Sequence, residues 1–388
     1  MEQEESAYIT SLHLKGYKSI RDVSVTLNKG LNILIGANGS GKTNFLEFLD
    51  AAYRSDYEAL LNSRTFESEV NMQYSFSRKM KGERVFQGNI KYRVEIDYGD
   101  DDTNVYFLND EKKIVKKEES NYMTVIFDLT KIQLLRFNNP LNSILNEKLT
   151  LNLSASDLIY SELKKTKNSV NTFLNKIFDI DFEDEAKIIN TFVEIITKNQ
   201  PFKIDNLQEN LKLYTPIKDF KIDWSLVRST KIDEDENFIT GLLEGIDFQF
   251  FVNNEWINWS QLSDGTKRLF YLIGSVTYAE KNEIILIEEP ELGVHPHQLS
   301  LLMNFLMSKS AHNQIIISTH SPQVLNSLGE DELDNIIVAR HEGKEGTKMY
   351  HLSEEEKGYA TEYMKNVGFL SDYWMMSGFM QEENPEYI

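Results

Sequence analysis

The sequence predicts an α/β protein: a mixed, largely parallel sheet carrying helices, interrupted by an inserted helical and β-hairpin subdomain. Three observations carry this expectation. The stretch ILIGANGSGKTNF, Ile33–Phe45, runs an apolar strand into a glycine-rich turn and then into a helix. From Leu262 onward short buried strand-like runs alternate with helical periodicity, the pattern of βαβ units. Between about Asp56 and Trp259 that rhythm is lost.

Taken in order, Val23, Val25 and Leu27 alternate with polar residues, as in a half-buried strand. Asn28-Lys29-Gly30 is a turn signal, and Leu31–Ile35 reads as a buried strand. Phe45, Phe48, Leu49, Ala52 and Tyr53 recur at helical spacing. Val85–Phe107 reads as strands joined by the acidic turn YGDDDTN, and Ser154–Lys198 as broken helices. Ile284–Ile287, Ile315–Ser318 and Ile336–Ala339 are expected buried strands, with an amphipathic helix over Leu299–Met307. The expected organisation is 1–60, the N-terminal part of the α/β unit; 61–255, the insertion; and 256–388, its C-terminal part with a tail. No heptad pattern persists long enough for a coiled coil.

Bulk composition narrows the function classes. The 388 residues are 41% hydrophobic, enough for a packed core. Lys plus Arg total 41 against 61 Asp plus Glu, a net charge of −20, so the average surface repels nucleic acid and DNA or RNA contact would need a local basic patch. Lysines cluster at Lys112, Lys113, Lys116 and Lys117 and at Lys164, Lys165 and Lys167, which most often marks a solvated face. Without cysteine, disulfides and thiolate metal sites are excluded. The acidic start MEQEESAYIT is unlike a signal peptide, and no apolar run approaches the ~18 residues of a membrane span. A cytoplasmic protein without membrane contact is expected.

Four short blocks carry chemistry. Gly36-Ala-Asn-Gly-Ser-Gly-Lys-Thr43 fits G-x-x-x-x-G-K-[ST], in which backbone N–H groups and a helix N-terminus cradle phosphates. Lys42 reaches the β- and γ-phosphates and Thr43 holds Mg²⁺. Ile284–Glu291 ends an apolar strand in Glu288-Glu289-Pro290-Glu291. Glu288 is a candidate for the Mg²⁺ shell and Glu289 for the base that activates water, while Glu291 either faces solvent or caps a helix. Leu262-Ser-Asp-Gly-Thr-Lys-Arg268 places Ser263 and Gly265 at a helix start, which reads equally as an N-cap or as a phosphate-ready surface. Ile315–Pro322 delivers His320 from a buried strand, either as a structural histidine or as a hydrogen-bond donor to a γ-phosphate.

In this order GANGSGKTN, LSDGTKRL, LIEEPELGVHP and IIISTHSP resemble the ATP-binding cassette (ABC) ATPases, within them the RecF/SMC/OLD-type branch also called AAA15/AAA21. LHLKGYKSIRDVSVTL resembles that branch's opening hairpin. The resemblance implies an ABC-type P-loop ATPase head that uses ATP and Mg²⁺. It gives Gly36, Asn38, Gly39, Ser40, Gly41, Lys42, Thr43 and Asn44 as nucleotide contacts, Glu289, His320 and Lys42 as catalytic, and Thr43 and Glu288 as metal-facing. It also implies a homodimer of heads, or a higher homo-oligomer, in which Ser263 and Gly265 close over the partner's nucleotide, with Leu292–Pro296 in the D-loop position. The Q-loop glutamine, a third metal contact, is placed by guess at Gln133, with Gln87 behind it. One departure is Glu288, where the family usually has Asp. His295 and His297 form an H-x-H too sparse for a zinc site.

The 218 residues between Thr43 and Leu262 and the EEPELGVHP block are unlike transporter cassettes. The 68 residues after His320 are too few for a TOPRIM nuclease domain as well as the final strands. The resemblance is therefore to a stand-alone head, as in anti-phage systems of the PARIS and Septu types, where an ATPase holds an effector protein, often a nuclease, in trans. The alternative is a RecF-like DNA-repair ATPase. In the tail, Leu370, Trp374, Met375, Phe379 and Met380 form an apolar stripe that either docks on the chain's own core or grips a partner.

Overall fold

The computed structural model describes residues 6–54, 67–79, 83–98, 103–109, 114–115, 132–135, 149–153, 205–230, 240–279 and 282–377. The broken helices expected over Ser154–Lys198, the lysines of both clusters, and Phe379 and Met380 lie outside the described residues.

The chain divides into two compact units. The first comprises Met1–Leu135, Glu280–Glu291 and Leu306–Ile388. Its centre is a six-stranded sheet built from β3 (Leu31–Ile35), β8 (Ile132–Leu135), β13 (Ile284–Glu288), β14 (Gln314–Thr319), β15 (Ile336–His341) and β16 (Thr347–His351). The order is β16-β15-β3-β14-β13-β8. All neighbours run parallel except β16, which is antiparallel to β15. Every residue of β3 and β14 is buried, as are the first four of β13. Interior strands covered on both faces require such continuous apolar runs, which is why LNILI and IILI do not alternate. Asn32 is the polar exception within β3. Its side chain accepts from the Asn28 backbone N–H at 2.7 Å and donates to the Asn28 and Gly30 carbonyls, so a fully buried amide closes the preceding turn.

A second sheet, order β2-β1-β4-β5-β6-β7, is antiparallel throughout. The opening hairpin joins β1 (Ser6–Tyr17) to β2 (Ile20–Thr26) through Lys18, which adopts φ 51°. Strand β2 alternates buried and exposed residues, with Val23 and Val25 inward. Helix α1 (Lys42–Arg54) buries Phe45, Leu46, Phe48, Leu49, Ala51 and Ala52 in one core with Leu12, Leu14, Tyr17 and Leu34. Of the residues read at helical spacing, Phe45, Phe48, Leu49 and Ala52 therefore face inward. Strands β4 (Glu67–Lys79), β5 (Glu83–Tyr98) and β6 (Thr103–Asn109) extend this sheet from β1, and β7 (Ile114–Val115) closes it. The expected 61–255 insertion is thus divided: ladder pairing to β1 draws residues 67–109 into the first unit.

The second unit comprises Arg136–Ala279 and Leu292–Phe305. Strands β10 (Asp219–Thr230), β11 (Thr240–Val252) and β12 (Glu255–Asn258) form an antiparallel meander, and β9 (Leu149–Leu153) pairs antiparallel with the Gly241–Ile246 stretch of β11. Phe220, Phe250, Trp259 and Phe270 are buried against each other, with ring centroids 5.2–5.8 Å apart. Such offset and edge-to-face pairs each add roughly 1 kcal/mol beyond area burial. This cluster also sets a boundary: Trp259 and Phe270, expected in the C-terminal part of the α/β unit, belong to the core of the insertion. Helix α2 (Asp205–Tyr214) contributes Leu207 and Leu211, and its Asn210 donates to Thr277 of α3 (Asp264–Thr277) at 2.9 Å.

The tail forms α5 (Glu354–Asn366) and α6 (Leu370–Met376); α4 (Pro296–Lys309) precedes β14. Ser353 and Glu356 make a capping box at the start of α5. Leu370 and Trp374 are buried, and the Ser371 N–H donates to Asn326 at 2.9 Å, whereas Met375 is exposed. Part of the apolar stripe docks on its own chain.

Gln314, 2% exposed, ties the first unit's two sheets together. Its amide accepts from the Ile9 N–H at 2.9 Å and donates to the carbonyls of Ile9 and Asn28, each at 2.8 Å. Gln314→Leu keeps the volume but orphans buried backbone groups. It is expected to lower unfolding free energy by roughly 2 kcal/mol, read from the denaturant midpoint at unchanged slope.

Candidate functional site

The carboxyl ends of β3, β14 and β13 lie side by side. The parallel register sets Glu288 opposite Ser318, and Thr319 opposite Ile35. The residues that follow each strand — Gly36, Glu289 and His320 — therefore emerge at one sheet edge, where open α/β sheets bind ligands.

The loop after β3 is fixed by close backbone packing. A Cβ on Gly36 would stand 2.0 Å from the Ala339 carbonyl oxygen, and one on Gly41 (φ 95°) 2.1 Å from Thr347 Oγ1. Gly39 (φ 81°) faces open space, so its conformation alone demands glycine there. Lys42 is buried, and its Nζ donates to the Gly36 and Ala37 carbonyls at 2.8 Å each and to Ser40 Oγ at 3.3 Å. Burial lowers the Lys42 pKa, against the pull of Glu289, Glu291 and Glu288, which raises it. Thr43 Oγ1 donates to Glu288 Oε1 at 2.5 Å. Asn38 is exposed at the loop tip, and Asn44, expected at the nucleotide, donates instead to Ser19 Oγ at 2.8 Å. Ser19 Oγ in turn lies 2.9 Å from the fully buried Thr347 Oγ1. Ser19, in the opening-hairpin block, and Thr347, which no motif marks, thus wedge the back of the loop.

On the neighbouring loop Glu289 adopts φ 46°, and its N–H donates to the Ser318 carbonyl at 2.8 Å. A non-glycine residue in the left-handed region is held there by its surroundings, and such strain gathers at functional positions. His320 Nδ1 lies 3.3 Å from Glu289 Oε1 and 3.2 Å from Glu291 Oε1. Glu291 is no solvent-facing or helix-capping residue: its side chain is 7% exposed, and Oε1 accepts from Thr319 Oγ1 at 2.6 Å and from the His320 N–H at 3.1 Å.

Gln133 does not join this group. It lies within β8 opposite Ile285, three residues short of the level of Glu288 along the strand. Gln87 is on β5 of the other sheet, opposite Ser75. Ser263 and Gly265 lie in the second unit. Ser263 caps α3, its Oγ accepting from the Thr266 N–H at 3.2 Å. A Cβ on Gly265 would come within 2.1 Å of the Gly293 carbonyl oxygen, so the glycine lets the Leu292–Pro296 segment lie directly on the first turn of α3. His295 and His297 are exposed, and among the described residues no group of three His, Cys, Asp or Glu converges to hold a metal.

The donors present do fit magnesium held jointly with a nucleotide. The Thr43 hydroxyl and Glu288 carboxylate are hard oxygen ligands already in contact, and Mg²⁺ usually takes one or two protein oxygens plus phosphate and water. The extra methylene of Glu288 relative to Asp does not keep it from Thr43.

A family model described as "AAA domain, putative AbiEii toxin, Type IV TA system" (AAA_21) matches residues 31–326. The chain belongs to the AAA_21 family. The match runs from β3 past His320, so it contains the whole edge described above. Endonuclease GajA of Bacillus cereus (strain VD045) is 23% identical over 383 residues, covering 91% of this chain and 61% of GajA. Septu protein PtuA of Bacillus thuringiensis is 24% identical over 349 residues, covering 84% of this chain and 74% of PtuA. The chain therefore spans under two thirds of GajA and about three quarters of PtuA. Among solved structures, an SMC head bound to the C-winged helix domain of ScpA aligns with 91% of this chain and 99% of its own at TM-score 0.53 and 15% identity. That likeness shows the fold: an ABC-type P-loop ATPase head.

Two substitutions test the architecture. Lys42→Ala removes the only cation that reaches the loop carbonyls among the described residues, and is expected to abolish binding of a fluorescent ATP analogue while the melting temperature stays within a few degrees. Gly265→Ala forces backbone apart at Gly293, and is expected to lower ATP turnover at least tenfold with nucleotide affinity unchanged.

Proposed function

We propose that this AAA_21 protein binds and hydrolyses Mg-ATP at the β3–β14–β13 edge, and that its heads pair to do so. The observation that carries the reading is the convergence of Lys42, Thr43, Glu288, Glu289 and His320 at one level of the sheet. Lys42 exchanges its loop carbonyls for the β- and γ-phosphate oxygens. Thr43 and Glu288 would hold magnesium, which would supply positive charge against the phosphates. Glu289 orients and deprotonates the attacking water, and His320 faces the γ-phosphate. Gly36 to Thr43 line the phosphates with backbone N–H groups.

In this reading Ser263 and the first turn of α3 approach the nucleotide of a second copy, since a helix N-terminus capped by an exposed serine presents free N–H groups to an anion. Hydrolysis then reports pairing, and pairing is the signal. The relatives named Septu protein PtuA and Endonuclease GajA support a role in anti-phage defence, with this chain acting in the cytoplasm as sensor or scaffold for an effector nuclease in trans. A net charge of −20 favours a protein partner over direct DNA contact. Among the described residues no helix is long and apolar enough to cross a membrane.

Glu289→Gln is expected to keep ATP binding, slow hydrolysis by two or more orders of magnitude and accumulate an ATP-dependent dimer in multi-angle light scattering. Ser263→Arg is expected to load ATP normally yet remain monomeric. Wild-type turnover that is independent of protein concentration, with Ser263→Arg fully active, would exclude the paired site. A tight, ATP-dependent and steeply salt-sensitive DNA shift would favour a DNA-repair role over the effector reading.

A further inference from the structure

Glu291 is the third carboxylate of the Glu288–Glu291 block and has no part in the chemistry above. Its environment is unlike that of a surface acid. The side chain is 7% exposed. Burying a carboxylate costs several kcal/mol unless strong donors meet it. Two do: Thr319 Oγ1 at 2.6 Å and the His320 backbone N–H at 3.1 Å, both on Oε1. The same oxygen lies 3.2 Å from His320 Nδ1. Oε2 is buried without a hydrogen-bond partner, and so is His320 Nδ1. Thr319 is itself fully buried and accepts from the Ser321 N–H at 3.0 Å, so the loop carrying His320 is anchored on both sides of the histidine.

We propose that Glu291 is a positioning residue for His320. It pins the main chain at residues 319–320 and faces the Nδ1 edge of the ring, which leaves Nε2 directed to the ligand. Glu289 Oε1 lies on that same Nδ1 edge at 3.3 Å, so Glu291 and Glu289 flank one nitrogen, and moving the ring displaces the base as well. The inference rests on the ATPase reading above.

A double-mutant cycle tests it, with kcat and KM for Mg-ATP measured for wild type, Glu291→Ala, His320→Ala and the double variant. Loss of an orienting partner typically lowers activity about 10- to 100-fold. Glu291→Ala should lower kcat in that range with KM changed less than about twofold. The double variant should be no slower than His320→Ala alone, because Glu291 acts through the histidine. Glu291→Gln, which retains an acceptor oxygen for Thr319 and the His320 N–H and conserves volume, should recover part of the loss; it also serves if the alanine variant fails to fold. Unchanged kcat in both Glu291 variants, or losses that multiply in the double variant, would overturn the positioning role. A wild-type chain with no turnover would instead overturn the ATPase reading, and this inference with it.

Discussion

The site depends on the register of three buried parallel strands. The strand Gln314–Thr319 pairs with Leu31–Ile35 on one side, through Ile315–Thr319, and with Ile284–Glu288 on the other, through Gln314–Ser318. None of these strands has a solvent face, so a slip of one residue would not merely turn side chains over. It would also shift one loop by about 3.3 Å relative to the next. A phosphate cradle, a water-orienting carboxylate and a histidine can act together only if their loops leave the sheet at one level. The apolar run in each strand thus sets distances between polar residues that lie far apart in the chain.

That precision has local costs, visible in the backbone. Glu289 sits at φ 46°, and the turn before α1 packs so tightly on Ala339 and Thr347 that Gly36 and Gly41 admit no Cβ. Strands β15 and β16 contribute no candidate catalytic group, yet they form the wall against which the loop is pressed. Hydrogen bonds among Asn44, Ser19 and Thr347 connect that wall to the opening hairpin. The hairpin's motif resemblance acquires a physical meaning here: its turn supports the phosphate loop from behind.

The central sheet was legible because buried parallel strands have an unmistakable composition, and the phosphate loop because glycine spacing encodes backbone shape. LNILI, IILI and IIIS fell where they were expected. The long-range ladders were not legible. Nothing in residues 67–79 announces that they pair to β1, since alternation gives a strand's faces and not its neighbour. The aromatic core that takes Trp259 and Phe270 into the second unit joins residues some fifty positions apart and has no local signature. Gln133 failed as a candidate because sequence gives a residue type without its level along a strand. Glu291 was underestimated for the opposite reason: in an acidic chain one more glutamate carries no information until its burial is known. The Thr319-His320 pair following an apolar strand was the available hint, since a hydroxyl and a backbone N–H at a strand end need an acceptor nearby.

Electrostatics explains why this edge can accept a nucleotide at all. Glu288, Glu289 and Glu291 stand close enough to Lys42 to raise its pKa against the lowering by burial. Without ligand the lysine is satisfied by the Gly36 and Ala37 carbonyls, so the cradle holds its own cation rather than a void. A bare triphosphate would meet three carboxylates and one lysine, a net repulsion at short range in a partly desolvated setting. In the proposed reading a divalent cation would offset that charge, with Thr43 and Glu288 the groups that would hold it and Lys42 the group that would meet the phosphate oxygens. The Glu288 carboxylate, which would oppose a bare anion, would then help to retain a metal-bound one, because it stands at the end of the strand next to the one that leads into the phosphate loop.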